Sequence, residues 1–154
     1  MGKFTRQELE EAIRIYNQAH ARASETGDWS IWAALFTENA RYVEHAYGEF
    51  HGRREIEKWI IDAQAPAPHM TFPWKWYAID EENDAIVFCV ENIYPHPDKK
   101  FSFDNWSRII YAGNGLFSYE EDIYNPAHFK RVYREWRAAG GQIEAKTRVK
   151  PKYH

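Results

Sequence analysis

Apolar and amphipathic residues recur at helical spacing near the start of the chain. Leu9, Ala12, Ile13, Tyr16, Ala19 and His20 fall on one face of a helix. Thr5-Arg6-Gln7-Glu8 has the form of a capping box that would start it. Gly27 ends this helix and Asp28 caps a second, short one with a buried stripe of Trp29, Trp32, Ala33 and Phe36. Residues 40–45 are rich in strand formers. Gly52 precedes a third helix that buries Ile56, Trp59, Ile60 and Ala63, and Pro66 and Pro68 forbid its continuation. Strands are then predicted over residues 70–79, 85–94, 101–111 and 116–125, with Pro73 marking an edge or a bulge in the first of them. Asn125-Pro126 is an N-cap followed by proline at the first helical position, and the last helix buries Phe129, Val132, Tyr133 and Trp136. The order ααβαββββα predicts an α+β fold, with helices on one face of a mostly antiparallel sheet.

A length of 154 residues suits a single domain, read here as residues 1–139 followed by a basic tail, 140–154, that carries Lys146, Arg148, Lys150 and Lys152. The tail is expected to be a solvated extension. A formal net charge of -3 argues against nucleic acid as the main partner. Aromatics make up 17% of the chain, including 7 Trp and 10 Tyr, enough to pack or bind something large and flat. The single cysteine, Cys89, excludes an internal disulfide and sits in an apolar run as a small core residue. The chain begins without an apolar signal region and has no stretch of membrane-spanning length, so a cytoplasmic protein without membrane association is expected.

Gly27-Asp28-Trp29, Ala34-Leu35-Phe36, Asn39-Ala40, Val43-Glu44-His45, Gly48 and Gly52 together form a recognisable series. It resembles the opening of nuclear-transport-factor-2-like proteins, and within them the polyketide-cyclase-like (SnoaL-like) and ketosteroid-isomerase-like branches. The resemblance implies a cone-shaped barrel half closed by helices, with an apolar pocket and a homodimer formed through the sheet. It also implies a cofactor-independent domain, whether isomerase, dehydratase, cyclase, epoxide hydrolase, lyase or plain binding module. No cofactor is expected.

In the isomerase-like members a carboxylate base follows a Val-Glu pair. The matching residue is His45, an imidazole whose ordinary pKa suits a general base. Those members also carry a tyrosine on the first helix. Ungapped counting from Gly27 lands on His20, and one extra helical turn lands on Tyr16; the two share a helix face. The protonated aspartic acid of the steroid isomerases is replaced by Ser107, which argues against true ketosteroid isomerase chemistry.

The hairpin adds candidates of its own. A turn centred on Gly113-Asn114 pairs Tyr111 with Leu116, Ser107 with Glu120, Asn105 with Asp122 and Phe103 with Tyr124. Alternation then gathers Phe103, Asn105, Ser107, Glu120, Asp122 and Tyr124 on one face, and Asp104, Trp106, Arg108, Tyr119, Glu121 and Ile123 on the other. If the first face lines the cavity, Asp122 is an acid or base oriented by Asn105; a one-residue slip would invert the faces. Trp32, Trp74 and Trp76 could form an aromatic wall, with Trp74 and Trp76 on one strand face. Glu44, His45 and His51 have no common focus, so no metal site is expected. The expected function is acid–base catalysis of the lyase, dehydratase, isomerase or cyclase type on a hydrophobic, aromatic or polycyclic small molecule. In it His45 or Asp122 is the base, and Tyr16 and His20 hold a substrate oxygen. The alternative is a non-catalytic ligand-binding or assembly module, which would need an apolar cavity without convergent titratable groups.

Overall fold

A computed structural model describes residues 2–152. Helix α1 spans Arg6–Thr26. Its capping box forms as the sequence indicates, with Glu8 N–H donating to the Thr5 hydroxyl and Thr5 N–H to the Glu8 carboxylate. Gly27, at φ 76°, takes the left-handed conformation that stops it. Helix α2, Ser30–Ala33, is a single turn that buries Trp32 and Ala33. Strand β1 covers Phe36–Glu44, starting four residues before the expected position because Phe36 pairs with Phe117 on a distant strand. Strand β2, Gly48–His51, is an addition that the pattern does not predict. Four residues with one aromatic carry little strand signal, and the pairing of Glu44 with Gly48 across a tight turn creates it.

Helix α3 is Arg53–Gln64. Strand β3, Trp74–Asp80, is shorter than predicted, and the stretch before it contributes only an isolated bridge from Thr71 to Ile93. Strands β4 (Ala85–Tyr94), β5 (Phe101–Gly113) and β6 (Leu116–Ile123) form the long meander, and helix α4 is Pro126–Ala138. Asn125 caps α4 by accepting the N–H groups of Ala127 and His128. The six strands lie in the order β2-β1-β6-β5-β4-β3, antiparallel except for β1 against β6. This curved sheet stays open, with β2 and β3 as edges, so the implied barrel is not closed.

The β5–β6 turn falls on Asn114-Gly115, both at positive φ (54° and 74°), one residue later than the sequence reading placed it. Ser107 therefore opposes Asp122 and Ile109 opposes Glu120. The shift of one residue in the turn moves the register by two, which leaves every side chain on its expected face.

Helices α1, α2 and α3 cover the concave face of the sheet and build the main core around Tyr16, Trp32, Phe36, Phe88 and Phe117. Helix α4 makes a second cluster, where Trp136 stacks on Tyr94 and donates its indole N–H to Pro95 O. The tail is not a free extension: Glu144 N–H bonds Pro66 O, Lys152 N–H bonds Ala46 O, and Val149 packs against the main core. Its basic side chains remain in solvent. Among the described residues no helix is long and apolar enough to cross a membrane.

Candidate functional site

Between the concave sheet face and the helices lies a cavity of about 130 Å³. That is close to the roughly 150 Å³ of a cavity that holds benzene. Alternation along the strands decides what faces it. On β1 the buried positions are Phe36, Ala40, Tyr42 and Glu44, a period of two that turns Tyr42 and Glu44 inward. On β5 and β6 the inward set is Phe103, Asn105, Ser107, Glu120 and Asp122, joined by Tyr124 just beyond the strand; all six line the cavity.

These side chains form one hydrogen-bonded chain. Asn92 donates to the Asn105 carbonyl, Asn105 Nδ2 donates to Ser107 Oγ at 2.8 Å, and Ser107 Oγ donates to Asp122 Oδ1. The Tyr42 hydroxyl donates to Asp122 Oδ2 and lies 3.5 Å from Glu120 Oε1. From α1, Tyr16 donates to the same Glu120 oxygen at 2.8 Å. Glu120 is 2% exposed and its second oxygen, Oε2, has no partner among the described residues. Asp122 is half-buried, bordering the cavity.

Two carboxyl groups two residues apart on one strand face, with Glu120 buried, resist ionising together. Burial and then the Asp122 charge push Glu120 well above the usual carboxylate range. Burial also raises Asp122, but the Ser107 and Tyr42 hydroxyls stabilise its anion and limit the rise. The surroundings thus oppose two carboxylates at once, and the hydroxyls bonded to Asp122 favour its anion. Burial and the two carboxylates raise Tyr16 and Tyr42 far above their ordinary values, so both stay neutral donors. Glu44 accepts the N–H groups of Ala46 and Tyr47, and burial lifts it to about 7. His20 lines the cavity stacked on Phe72, with ring centroids 4.5 Å apart, and burial lowers it to about 3, which keeps it neutral.

His45 departs from its expected place. It is the neighbour of inward Glu44, so alternation carries it to the outer face, where its side chain is 47% exposed and Nε2 lies 2.8 Å from Glu121 Oε1. The aromatic wall also divides. A bulge between Trp74 and Trp76 puts Trp74 inside, stacked on Phe88 at 3.6 Å, and Trp76 outside against Trp106. Trp74 is core behind the cavity, and only Trp32 of the three lines it. The sequence reading missed Tyr42, Glu44, Tyr47 and Trp59 as lining residues. The signal for the first two was present in the inward alternation of β1. Among the described residues no group of three or more His, Cys, Asp or Glu side chains is arranged to hold a metal ion.

A protein-family model described as a SnoaL-like domain matches residues 17–116, well over half of the chain. The chain belongs to the SnoaL-like domain family. No curated protein matches it. Among solved structures, this SnoaL-like chain is similar to PrhC from Penicillium brasilianum NBRC 6234, with a TM-score of 0.66, 13% identity, and coverage of 86% of this chain and 92% of that one. It is similar to an LEH-like epoxide hydrolase of M. tuberculosis (TM-score 0.62, 16% identity, 86% and 96% coverage). It is similar also to a protein with a ketosteroid isomerase-like fold from Catenulispora acidiphila DSM 44928, solved with trimethylamine (TM-score 0.57, 17% identity, 71% and 85% coverage). At such identities the likeness establishes the fold: a SnoaL-like, ketosteroid-isomerase-like scaffold of a kind that includes small-molecule enzymes.

Proposed function

We propose that this SnoaL-like chain is a cofactor-independent acid–base enzyme of the lyase, dehydratase, isomerase or cyclase type, acting on a small oxygen-bearing molecule in the cavity. The observation that carries this reading is the Glu120–Asp122 pair, two carboxyls with different hydrogen-bond partners at one enclosed site. Asp122 is the base. Ser107 and Tyr42 orient it, and Asn105 holds Ser107 in turn. Protonated Glu120, held in place by the Tyr16 hydroxyl, donates to the substrate oxygen on which negative charge develops, the role that preorganised donors play best in a buried site. His20, neutral and stacked, is a wall of the pocket. The volume of about 130 Å³ favours a substrate of about one ring over a polycyclic one.

Trp76, Trp106 and Ile123 stand 42%, 58% and 55% exposed on the sheet. They support a homodimer through the outer face, which leaves the cavity free.

The test is proton exchange. Single-ring ketones incubated with the protein in heavy water should gain deuterium at the carbon beside the carbonyl, read by mass spectrometry. Asp122→Asn should slow this by about 10²-fold or more, the usual contribution of a positioned base. Exchange that is absent for every ketone, or equal in Asp122→Asn, removes the assignment.

A further inference from the structure

The cavity has an unusual electrostatic character. Of its 24 lining residues 12 are Phe, Tyr or Trp and three are acidic, Glu44, Glu120 and Asp122. Among the described residues no Lys or Arg lines it, and its one histidine is held neutral by burial. Aromatic faces and carboxylates attract the same partner, a positive charge. Three of these aromatic side chains, Trp32, Tyr42 and Trp59, stand together. Tyr42, whose hydroxyl meets Asp122, has its ring 5.8 Å from that of Trp32 and 4.9 Å from that of Trp59. All three are buried.

Three buried polar atoms on these aromatics and on Glu120 lack partners among the described residues: Glu120 Oε2, Trp32 Nε1 and Trp59 Nε1. An unpartnered buried polar group costs free energy unless a ligand satisfies it. With Glu120 protonated at Oε2, as in the proposed function, that group and the two indole N–H groups all call for an acceptor, which a ligand oxygen supplies.

We propose that the cavity binds a small organic cation bearing an oxygen, an amino-alcohol-like ammonium, with its charge against Trp32, Tyr42, Trp59 and the Glu120–Asp122 carboxyls. This names the substrate class of the proposed acid–base site, and rests on the cavity being that site. The charge of the ligand supplies what the lining lacks. Its presence also favours the ionised form of Asp122, the base of the proposed reaction.

Choline and its neutral isostere 3,3-dimethylbutan-1-ol are suitable probes. They share shape and hydroxyl group and differ in charge alone, and the quaternary nitrogen holds its charge at every pH. Titration followed by calorimetry and by tryptophan fluorescence should show choline binding the wild-type chain at least about tenfold more tightly at low salt. The double variant Glu120→Gln/Asp122→Asn, its fold checked by circular dichroism, should lose that preference while still accepting the neutral alcohol. Equal or tighter binding of the alcohol by the wild-type chain overturns the inference, as does the absence of choline binding at millimolar concentration. The wild-type comparison decides the matter even if the variant does not fold. Ketone exchange that persists without any preference for the cation would remove this inference and leave the acid–base function; choline binding without exchange would do the reverse.

Discussion

Residues 120–122 of β6 place three acids in a row, and the sheet treats them in two ways. Glu120 and Asp122 point to the concave face, where burial raises both carboxyls. Glu121, between them, points outward, where a hydrogen bond from His45 and another from Tyr119 hold it below the usual range. The outer face, with Arg41 paired to Glu49 and Lys75 to Asp104, is an ordinary solvated sheet surface whose ion pairs contribute little. The inner face carries the same kind of acid, but buried and with no Lys or Arg among the described lining residues, and that converts acids into a candidate acid–base pair. Residue type at this site decides less than the parity of its position.

The largest effect should come from breaking the inner pair. Asp122→Asn should lower proton exchange by about 10²–10⁴-fold while leaving the melting temperature near wild type, since the amide oxygen can still accept from one of the two hydroxyls, Ser107 or Tyr42, and the other can turn to accept from the amide N–H. Equal loss of folding and activity would make Asp122 a structural residue.

A second effect lies in stability. Burial lifts Glu44 from 4.5 to about 7, so the folded chain keeps a proton that the unfolded chain has released. The stability from neutral Glu44 is full below about pH 4.5 and is lost as pH rises through about 7. Glu44→Gln mimics the neutral form. It should stabilise the chain by up to about 3 kcal/mol at pH 8 and by little at pH 5, read as melting temperatures in the two buffers. No difference between the two would show that Glu44 is not desolvated.

His20 tilts the opposite way. Its pKa falls from 6.5 to about 3, so the unfolded chain binds a proton that the folded one refuses, and stability declines as pH drops from about 6.5 toward 3. His20→Phe should flatten this acid limb in the same melting series; an unchanged limb would mean that the ring is hydrated.

The smallest effect tests the outer face. His45→Ala should change exchange by no more than about twofold, because an exposed pair of this kind has little energy to lose. A hundredfold loss would return His45 to the role that the family pattern assigned it.

Much of this was legible because strand parity survives errors of two. The turn assigned to Gly113-Asn114 forms at Asn114-Gly115, yet Asn105, Ser107, Glu120 and Asp122 share a face in either register. Single-residue irregularities are another matter. The bulge between Trp74 and Trp76 separates two tryptophans that strict alternation would unite, and nothing local marks it except Pro73 just upstream. His45 was drawn inward by counting along a family pattern, although the alternation from Tyr42 through Glu44 directs it out. Strand β2 and the early start of β1 depend on distant partners, which a local pattern does not contain.

Neighbouring carboxyls on this one strand live in opposite electrostatic environments. Carbon-13 labelling of the glutamate and aspartate side chains, with assignment of residues 120, 121 and 122, would follow each carboxyl through a pH titration by nuclear magnetic resonance. Glu120 should titrate well above 4.5, and Glu121 below it. Glu120 and Glu121 both titrating near 4.5 would mean that the cavity is wet and the pair an ordinary surface feature.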